Sequence, residues 1–232
     1  PEDFFVRLDD EWLFKEARRR GFSALAITLH DAVGYTHKLA RKAREYGILL
    51  IPGFERTLHW SGRRYHILCY GTSREVLLPL TSMEFPEMVR YKQKHTDDLL
   101  FCIAHPYMQY YMLDEDALDE ICERLVDAVE YHGFFSNLPF FKINDNARAM
   151  RLAERHGLPM IAGSDTHHKG MFGGCSAVLD VASSTVSDIL AAIRAGRVSV
   201  DAQPYPALRF LWMGLLFKSA DLFADILQRK IR

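Results

Sequence analysis

The feature that most constrains the fold of this chain is a repeated order of helix, glycine, short apolar strand and ligand-type side chains. In the clearest copy, Asp145 can cap a helix that ends at His156, and Gly157 can stop it. The apolar segment 160–162 follows and leads into Gly-Ser-Asp-Thr-His at residues 163–167. Glycine suits this stop because it readily adopts the left-handed conformation with which many helices end.

The same order recurs along the 232 residues. Helices are predicted at residues 9–20, 36–46, 115–124, 145–156 and 185–195. Apolar strands are predicted at residues 25–28, 48–51, 65–70, 99–104, 126–130, 160–162 and 177–181. Strands that alternate with helices are typical of an α/β fold whose parallel sheet is covered on both faces. About seven such units favour a closed or distorted barrel, whose chemistry collects at the carboxyl ends of the strands.

Composition narrows the classes of function. Lys and Arg number 29 and Asp and Glu number 30, so the net charge of −1 indicates no nucleic-acid surface. The four cysteines are scattered without a Cys-x-x-Cys pair, which suits free thiols in a reducing compartment and predicts a cytoplasmic location. No apolar run reaches the roughly 20 residues of a transmembrane helix, so none is predicted.

Five ligand-type side chains follow apolar strands with at most four residues between: His30, Glu55, His105, Asp165 and His167. Neutral imidazoles and ionised carboxylates are common ligands of zinc, manganese and iron ions. A single histidine after a strand is more often a hydrogen-bonded structural residue. The five residues together are stronger evidence for a metal site than any one of them, because burying several unpaired ionisable groups at one barrel mouth is costly without a metal.

Other polar residues are less clearly assigned from the pattern. His66 lies inside a predicted strand, where a core histidine is the favoured interpretation, and Glu130 and His132 end a strand but are left open. Arg56 and Lys169 are candidates for phosphate contacts only because they adjoin the ligand set. The glycine-rich segment 168–174 is interpreted either as a mobile lip or as a plain connection.

The motifs in this order resemble the PHP family of polymerase and histidinol phosphatase domains. They are Ile-Thr-Leu-His-Asp (27–31), Pro-Gly-Phe-Glu (52–55), His-Ile-Leu (66–68), Ala-His-Pro (104–106) and Gly-Ser-Asp-Thr-His (163–167). The resemblance covers roughly residues 1–203. It implies a distorted seven-stranded, TIM-like (β/α) barrel that holds two or three divalent ions (zinc, manganese or iron).

The resemblance also implies roles for residues. It makes metal ligands of His30, Glu55, His66, His105, Asp165 and His167. It therefore raises His66 from core residue to ligand. Glu55 resembles the family's bridging carboxylate, and Glu55 and Asp165 are the predicted catalytic residues.

Two departures from the family pattern affect these expectations. The family opens with a strand and a His-x-His motif, and neither has a counterpart here. We expect a chain clipped at its N-terminus, without its first strand and with incomplete metal occupancy; natural loss is the alternative. Leu29 stands where the family usually has Asp, so a hydrogen-bond acceptor beside His30 is missing.

The predicted activity is hydrolysis of phosphate esters, of a small molecule or a nucleotide, by metal-activated water. Metal ions lower the pKa of bound water toward ~7 and neutralise charge on the phosphoryl oxygens. An amidohydrolase-like metal-dependent hydrolase is the first alternative, although no lysine that could be carbamylated follows a strand. A non-catalytic, metal-poor interaction protein is the second, and Leu29 and the absent His-x-His support it.

Residues 204–232 are predicted to form an accessory amphipathic helix after the barrel of residues 1–203. Its apolar stripe has helical spacing and comprises Leu208, Leu211, Trp212, Leu215, Leu216, Phe223, Ile226 and Leu227. The favoured interpretation is that this helix packs on its own barrel. A homodimer interface and a helix on a membrane surface are the alternatives.

Deleting residues 206–232 and measuring mass in solution distinguishes these interpretations. If the helix covers its own barrel, the shortened protein should aggregate or unfold because apolar core surface becomes exposed. A shortened protein that stays monomeric and soluble, like the intact protein, would exclude both the dimer and the covering role.

Overall fold

A computed structural model describes residues 9–108, 114–135, 145–167, 169–181 and 185–206. Within these ranges the α-helices are α1 Asp10–Arg19, α2 His37–Glu45, α3 Arg74–Leu77, α4 Phe85–Lys94, α5 Glu115–Arg124, α6 Asn146–His156 and α7 Val186–Arg194. The strands are β1 Ala24–Ala26, β2 Leu49–Ile51, β3 Gly53–Trp60, β4 Arg63–Gly71, β5 Leu99–Ile103, β6 Ala128–His132, β7 Met160–Gly163, β8 Cys175–Leu179 and β9 Val198–Ala202. Short 3₁₀ turns lie at Leu78–Ser82 and Lys169–Met171.

Local side-chain chemistry starts and stops α1 and α6 as the sequence predicts, whereas α3 and α4 are not predicted. The carboxylate of Asp9 accepts a hydrogen bond from the backbone of Trp12 at the start of α1. Asp145 caps α6 in the same way, and Gly157 ends it with φ at 63°. Such caps satisfy amide groups that have no partner within the helix, each worth about 1 kcal/mol.

The chain forms a parallel pair β1–β2, a five-stranded sheet in the order β3-β4-β5-β6-β7, and an antiparallel pair β8–β9. The prediction of an all-parallel sheet is wrong for part of the central sheet, because β4 is antiparallel to both β3 and β5. The cause is a two-residue hairpin turn at Ser61 and Gly62, with φ of 48° and 70°. Positive φ at both turn residues gives the backbone twist that suits a tight hairpin.

The α/β class is confirmed, whereas a barrel is not. Among the described residues the strands form three separate sheets and no closed barrel. One isolated parallel bridge, between His30 and Glu55, links the β1–β2 pair to the edge of the central sheet.

Helices cover both faces of the central sheet at β5, which is buried at every position. Leu99, Phe101 and Ile103 pack into a cluster with residues of α4 and α5. Leu100 and Cys102 point the other way and pack with residues of α7. Alternate residues of a strand face opposite sides of its sheet, so this pattern places a hydrophobic layer on each face and fixes the register of the strand.

Several expectations concern residues or properties that the described part of the chain does not test. The predicted accessory helix lies almost wholly outside them, since they end at residue 206, and both the helix and the domain boundary stay predictions. Among the described helices, none has the length and apolar character needed to cross a bilayer. The four cysteines are free and buried; the cytoplasmic location stays a prediction.

Candidate metal centre

Successive strands of the central sheet each deliver one ionisable side chain to the same region. Glu55 lies in β3, His66 in β4, His105 directly follows β5, His132 ends β6, and Asp165 follows β7. Because Glu55 pairs with Leu68, two residues from His66, both side chains lie on the same face of the hairpin. The strand order therefore produces a row of potential ligands.

Glu55, at the β3 end of this row, approaches three imidazoles. Its Oε1 lies 2.8 Å from Nδ1 of His66 and 3.3 Å from Nε2 of His105. Its Oε2 lies 3.9 Å from Nε2 of His30, which the parallel bridge places opposite it. The two imidazoles of His66 and His105 also approach to 3.3 Å.

The donor set fits a divalent metal ion. One ligand atom from each of His30, Glu55 and His66 lies within 4.8 Å of the other two. Ligands bonded at about 2.0–2.3 Å to one ion lie roughly 3–4 Å apart, so small side-chain rotations suffice. Imidazole nitrogen and carboxylate oxygen suit zinc, manganese and iron.

A second group surrounds Asp165. Its Oδ1 lies 3.4 Å from Nδ1 of His167, and its Oδ2 lies 3.4 Å from Nε2 of His132. The rings of His132 and His105 are 5.6 Å apart between centroids, so this group adjoins the one around Glu55. The six predicted ligands thus belong to one connected cluster, and their role as ligands stays a prediction.

The backbone is strained at this cluster. Positive φ values occur at Asp31 (51°), His105 (27°) and Asp165 (44°), three non-glycine residues. Such conformations cost of order 1–3 kcal/mol each and persist only where surrounding contacts enforce them. Two of these residues are candidate ligands and the third follows His30.

His132 is a member of the cluster that the sequence left open. Its Nδ1 accepts a hydrogen bond from the backbone of Phe134 at 3.0 Å, so the neutral ring carries its proton on Nε2, the nitrogen that faces Asp165. Asn146 holds the backbone of His132 with two hydrogen bonds of 3.0 Å. We interpret His132 as a donor that orients the Asp165 carboxylate.

Glu130, which the sequence also left unassigned, holds the backbone of His105. Its Oε2 accepts a hydrogen bond from the backbone N–H of His105 at 2.7 Å. A Cβ atom at Gly163 would lie 1.8 Å from Oε1 of Glu130, so this carboxylate requires glycine at position 163. The strand β6 begins and ends two residues later than the predicted strand 126–130, and this shift brings His132 inside it.

The cluster controls the charge of its members. Burial alone would raise the pKa of Glu55, but hydrogen bonds from His105 and His66 outweigh it and lower the pKa to about 2. Burial likewise opposes protonation of His105, yet the hydrogen bond and charge of Glu55 raise its pKa to about 9. The pKa of Asp165 is lowered, despite burial, by the hydrogen bond of His132 and the charge of His167. Burial raises the pKa of Glu130.

The cluster opens into a cavity of about 1200 Å³ whose polar end is lined by His30, Glu55, His105, Asp165, His167 and Lys169. The ammonium group of Lys169 lies at the rim, 2.7 Å from Asp9 and 4.8 Å from the ring of Trp12. Its contact with phosphate stays a prediction.

Arg56 does not line this cavity. Glu55 and Arg56 are adjacent in β3, so their side chains face opposite sides of the sheet. The guanidinium instead contacts Asp31, Glu84 and the carbonyl of Met83. This placement does not support the predicted phosphate contact.

Metal affinity should rise with pH. A metal ion at this site must displace the proton of His105, because only neutral imidazole binds metal. The apparent Kd for Mn²⁺ should therefore fall by up to about tenfold per pH unit as pH rises toward the His105 pKa of about 9. The carboxylates of Glu55 and Asp165 are already ionised in this range, so they add no dependence.

Titration calorimetry in two buffers of different ionisation enthalpy measures both the affinity and the proton release. His156→Gln, a change at a histidine that pairs with Asp119 away from the cluster, should leave the pH dependence unaltered. A Kd that is constant between about pH 6.5 and 8.5 would show that no such proton is displaced.

Comparison with known proteins gives matches of three kinds. A family model described as PHP-associated matches residues 144–198. An error-prone DNA polymerase from Symbiobacterium thermophilum is 27% identical over 197 residues, which cover 70% of this chain. The chain spans only 18% of the length of that polymerase.

Solved structures share the fold at low sequence identity. PsfC from Pseudomonas syringae matches with a TM-score of 0.60 and 18% identity, over 90% of this chain and 88% of that one. A two-domain protein from Bacteroides vulgatus matches with a TM-score of 0.65 and 17% identity, over 88% of this chain and 62% of that protein. It is described as containing a predicted PHP-like metal-dependent phosphoesterase. A Bifidobacterium adolescentis protein with a provisional description as a metal-dependent phosphoesterase matches with a TM-score of 0.52 and 15% identity, over 73% and 86% of the two chains. The family-model match and the polymerase match agree with the resemblance of the motif order to the PHP family, and the solved structures show a similar fold.

Proposed function

We propose that this chain carries a metal-dependent phosphoesterase centre. The observation that carries the proposal is the buried cluster around Glu55, where three imidazoles lie within 3.9 Å of one carboxylate. Two matched proteins are described as metal-dependent phosphoesterases, one provisionally and one with a predicted domain of that kind, and this supports the choice of reaction.

The proposed ligands divide into two adjoining groups. His30, Glu55 and His66 supply donors for one ion. Asp165 and His167 supply donors on the other side of His105. Two groups favour at least two ions over one. Glu55 would be the carboxylate shared between them, because its Oε1 also lies 3.3 Å from His105, which adjoins the second group. The identity of the metal (zinc, manganese or iron) is open within this donor chemistry.

The residues of the chain prepare this centre for cations and phosphate. Divalent ions bound there would supply a water molecule of lowered pKa and neutralise charge on the phosphoryl group. Glu55 and Asp165 contribute two negative charges at neutral pH, because their pKa values lie far below it. His132 holds the Asp165 carboxylate through its Nε2 proton. Lys169 provides a positive charge at the rim, where it pairs with Asp9.

We also propose that the three sheets are parts of one distorted barrel. The cavity is lined by residues of all three, including Leu25 of β1, Leu68 of β4, Ile161 of β7 and Ala177 of β8. Sheets arranged around a common interior are what a barrel with incomplete pairing would produce. Its volume of about 1200 Å³ exceeds the usual range for small-molecule sites, about 300–1,000 Å³, and admits a nucleotide-sized phosphate ester.

The proposal predicts that the protein hydrolyses p-nitrophenyl phosphate or its bis ester when Mn²⁺ is added. Asp165→Ala should abolish nearly all of this activity, because it removes a ligand and the charge that neighbours His167. Asp180→Ala, at an exposed position outside the cavity lining, is the matched control and should retain it. Chelation with EDTA should remove the activity and Mn²⁺ should restore it.

The alternatives give different results. An amidohydrolase would cleave amide substrates and leave both phosphate esters intact in the same preparation. An interaction protein would hydrolyse neither and retain no metal on analysis. Metal-dependent phosphatase turnover that is undiminished in Asp165→Ala would refute the proposed mechanism.

A further inference from the structure

An ion pair lies directly beside the two candidate ligands that meet at the parallel bridge. Asp31 follows His30, and Arg56 follows Glu55. Nη1 of Arg56 donates to Oδ1 of Asp31 at 2.7 Å, and the same oxygen accepts the backbone N–H of Thr57 at 2.9 Å. One carboxylate oxygen of Asp31 therefore holds two consecutive residues of β3.

Backbone hydrogen bonds join the same segments. The N–H of Asp31 donates to the carbonyl of Glu55 at 2.7 Å, and the N–H of Glu55 donates to the carbonyl of Leu29 at 3.0 Å. The β1–β2 pair and the central sheet share no ladder in the described part of the chain. Together with a bond of 3.2 Å from the N–H of Gly34 to the carbonyl of Gly53, these bonds and the Asp31–Arg56 pair hold the segment of His30 beside Glu55.

All the guanidinium nitrogens of Arg56 are engaged in contacts within the protein. Its three guanidinium nitrogens contact Asp31, Glu84 and the carbonyl of Met83, at 2.7, 3.3 and 3.2 Å respectively. The residue is only 9% exposed. A buried guanidinium needs its partners, because an unpaired buried charge is strongly unfavourable.

We propose that Asp31 is a positioning residue for the metal centre: with Arg56 it clamps the segments that carry His30 and Glu55, so that both side chains face one ion. The inference rests on the proposed function, since it concerns the same site. Asp31 acts through its neighbours and not on the ion, because it does not line the cavity and its Oδ1 accepts hydrogen bonds from Arg56 and Thr57. Its left-handed backbone, with φ at 51°, is kept in place by the same contacts.

The chain offers a matched control. Asp127 has the same kind of contacts, an ion pair with Lys92 at 2.7 Å and a hydrogen bond from the backbone of Phe101 at 2.9 Å. It precedes β6, at the end of that strand opposite His132. Asp31→Asn and Asp127→Asn each weaken one ion pair, and only the first does so at the metal centre.

The test measures Mn²⁺ binding by titration calorimetry and the melting temperature of each metal-free variant. Asp31→Asn should raise the Kd for Mn²⁺ about 10–100-fold, the usual effect of losing a group that orients a ligand. Asp127→Asn should lower the melting temperature comparably and leave the Kd unchanged. Arg56→Gln should raise the Kd for Mn²⁺ as much as Asp31→Asn does. The double variant should bind Mn²⁺ no more weakly than either single variant.

A Kd for Asp31→Asn equal to that of the wild type would overturn the inference. An equal rise in Kd for both aspartate variants would also overturn it, since general destabilisation would explain the change. If Asp31→Asn does not fold, Arg56→Gln, which keeps the hydrogen bond from Thr57 to Asp31, decides by the same criteria. A wild-type protein that binds no Mn²⁺ would instead refute the proposed function, and the inference with it.

Discussion

The carboxylate of Glu55 is the group on which the arrangement of this structure depends. Glu55 is only 4% exposed. Its buried negative charge is stable only if cations or hydrogen-bond donors replace the water that the carboxylate has lost. Three imidazoles approach it, from the segment after β1, from β4 and from the end of β5. In the metal-free protein the raised pKa of His105 supplies part of the compensation as a proton. A divalent cation would supply more charge at the same place and would release that proton.

Such a buried charge can be assembled only from segments distant in sequence that the sheet brings together. The row of polar side chains follows the strand order, and His30 joins it through the bridge to Glu55. Around the row, fixed groups hold each member: Glu130 holds the backbone of His105, His132 faces Asp165, and Asp31 with Arg56 fixes β3. The left-handed residues at His105 and Asp165 show that this geometry is kept against a local conformational cost.

The sequence could predict those parts of the fold that local chemistry determines. Helix caps such as Asp145 and the stop at Gly157 need only neighbouring residues, and the α/β class follows from the alternation of patterns. The hairpin of β3 and β4 is not predicted, because no strand is expected between residues 51 and 65, although Ser61-Gly62 signals a tight turn. That omission also misplaced Arg56, which faces away from the site because Glu55 faces toward it. The predicted strand 126–130 ends two residues before β6 does, which leaves His132 outside it. The pairing between sheets depends on distant contacts that no local pattern shows.

Anomalous diffraction from crystals soaked in Mn²⁺ tests the central claim most directly. The account predicts a manganese peak about 2.0–2.3 Å from a carboxylate oxygen of Glu55 and from an imidazole nitrogen of His30 or His66. It also predicts that the Asp31–Arg56 contact persists beside the bound ion. Manganese bound only at exposed carboxylates, with Glu55 still hydrogen-bonded to His66 and His105, would contradict it.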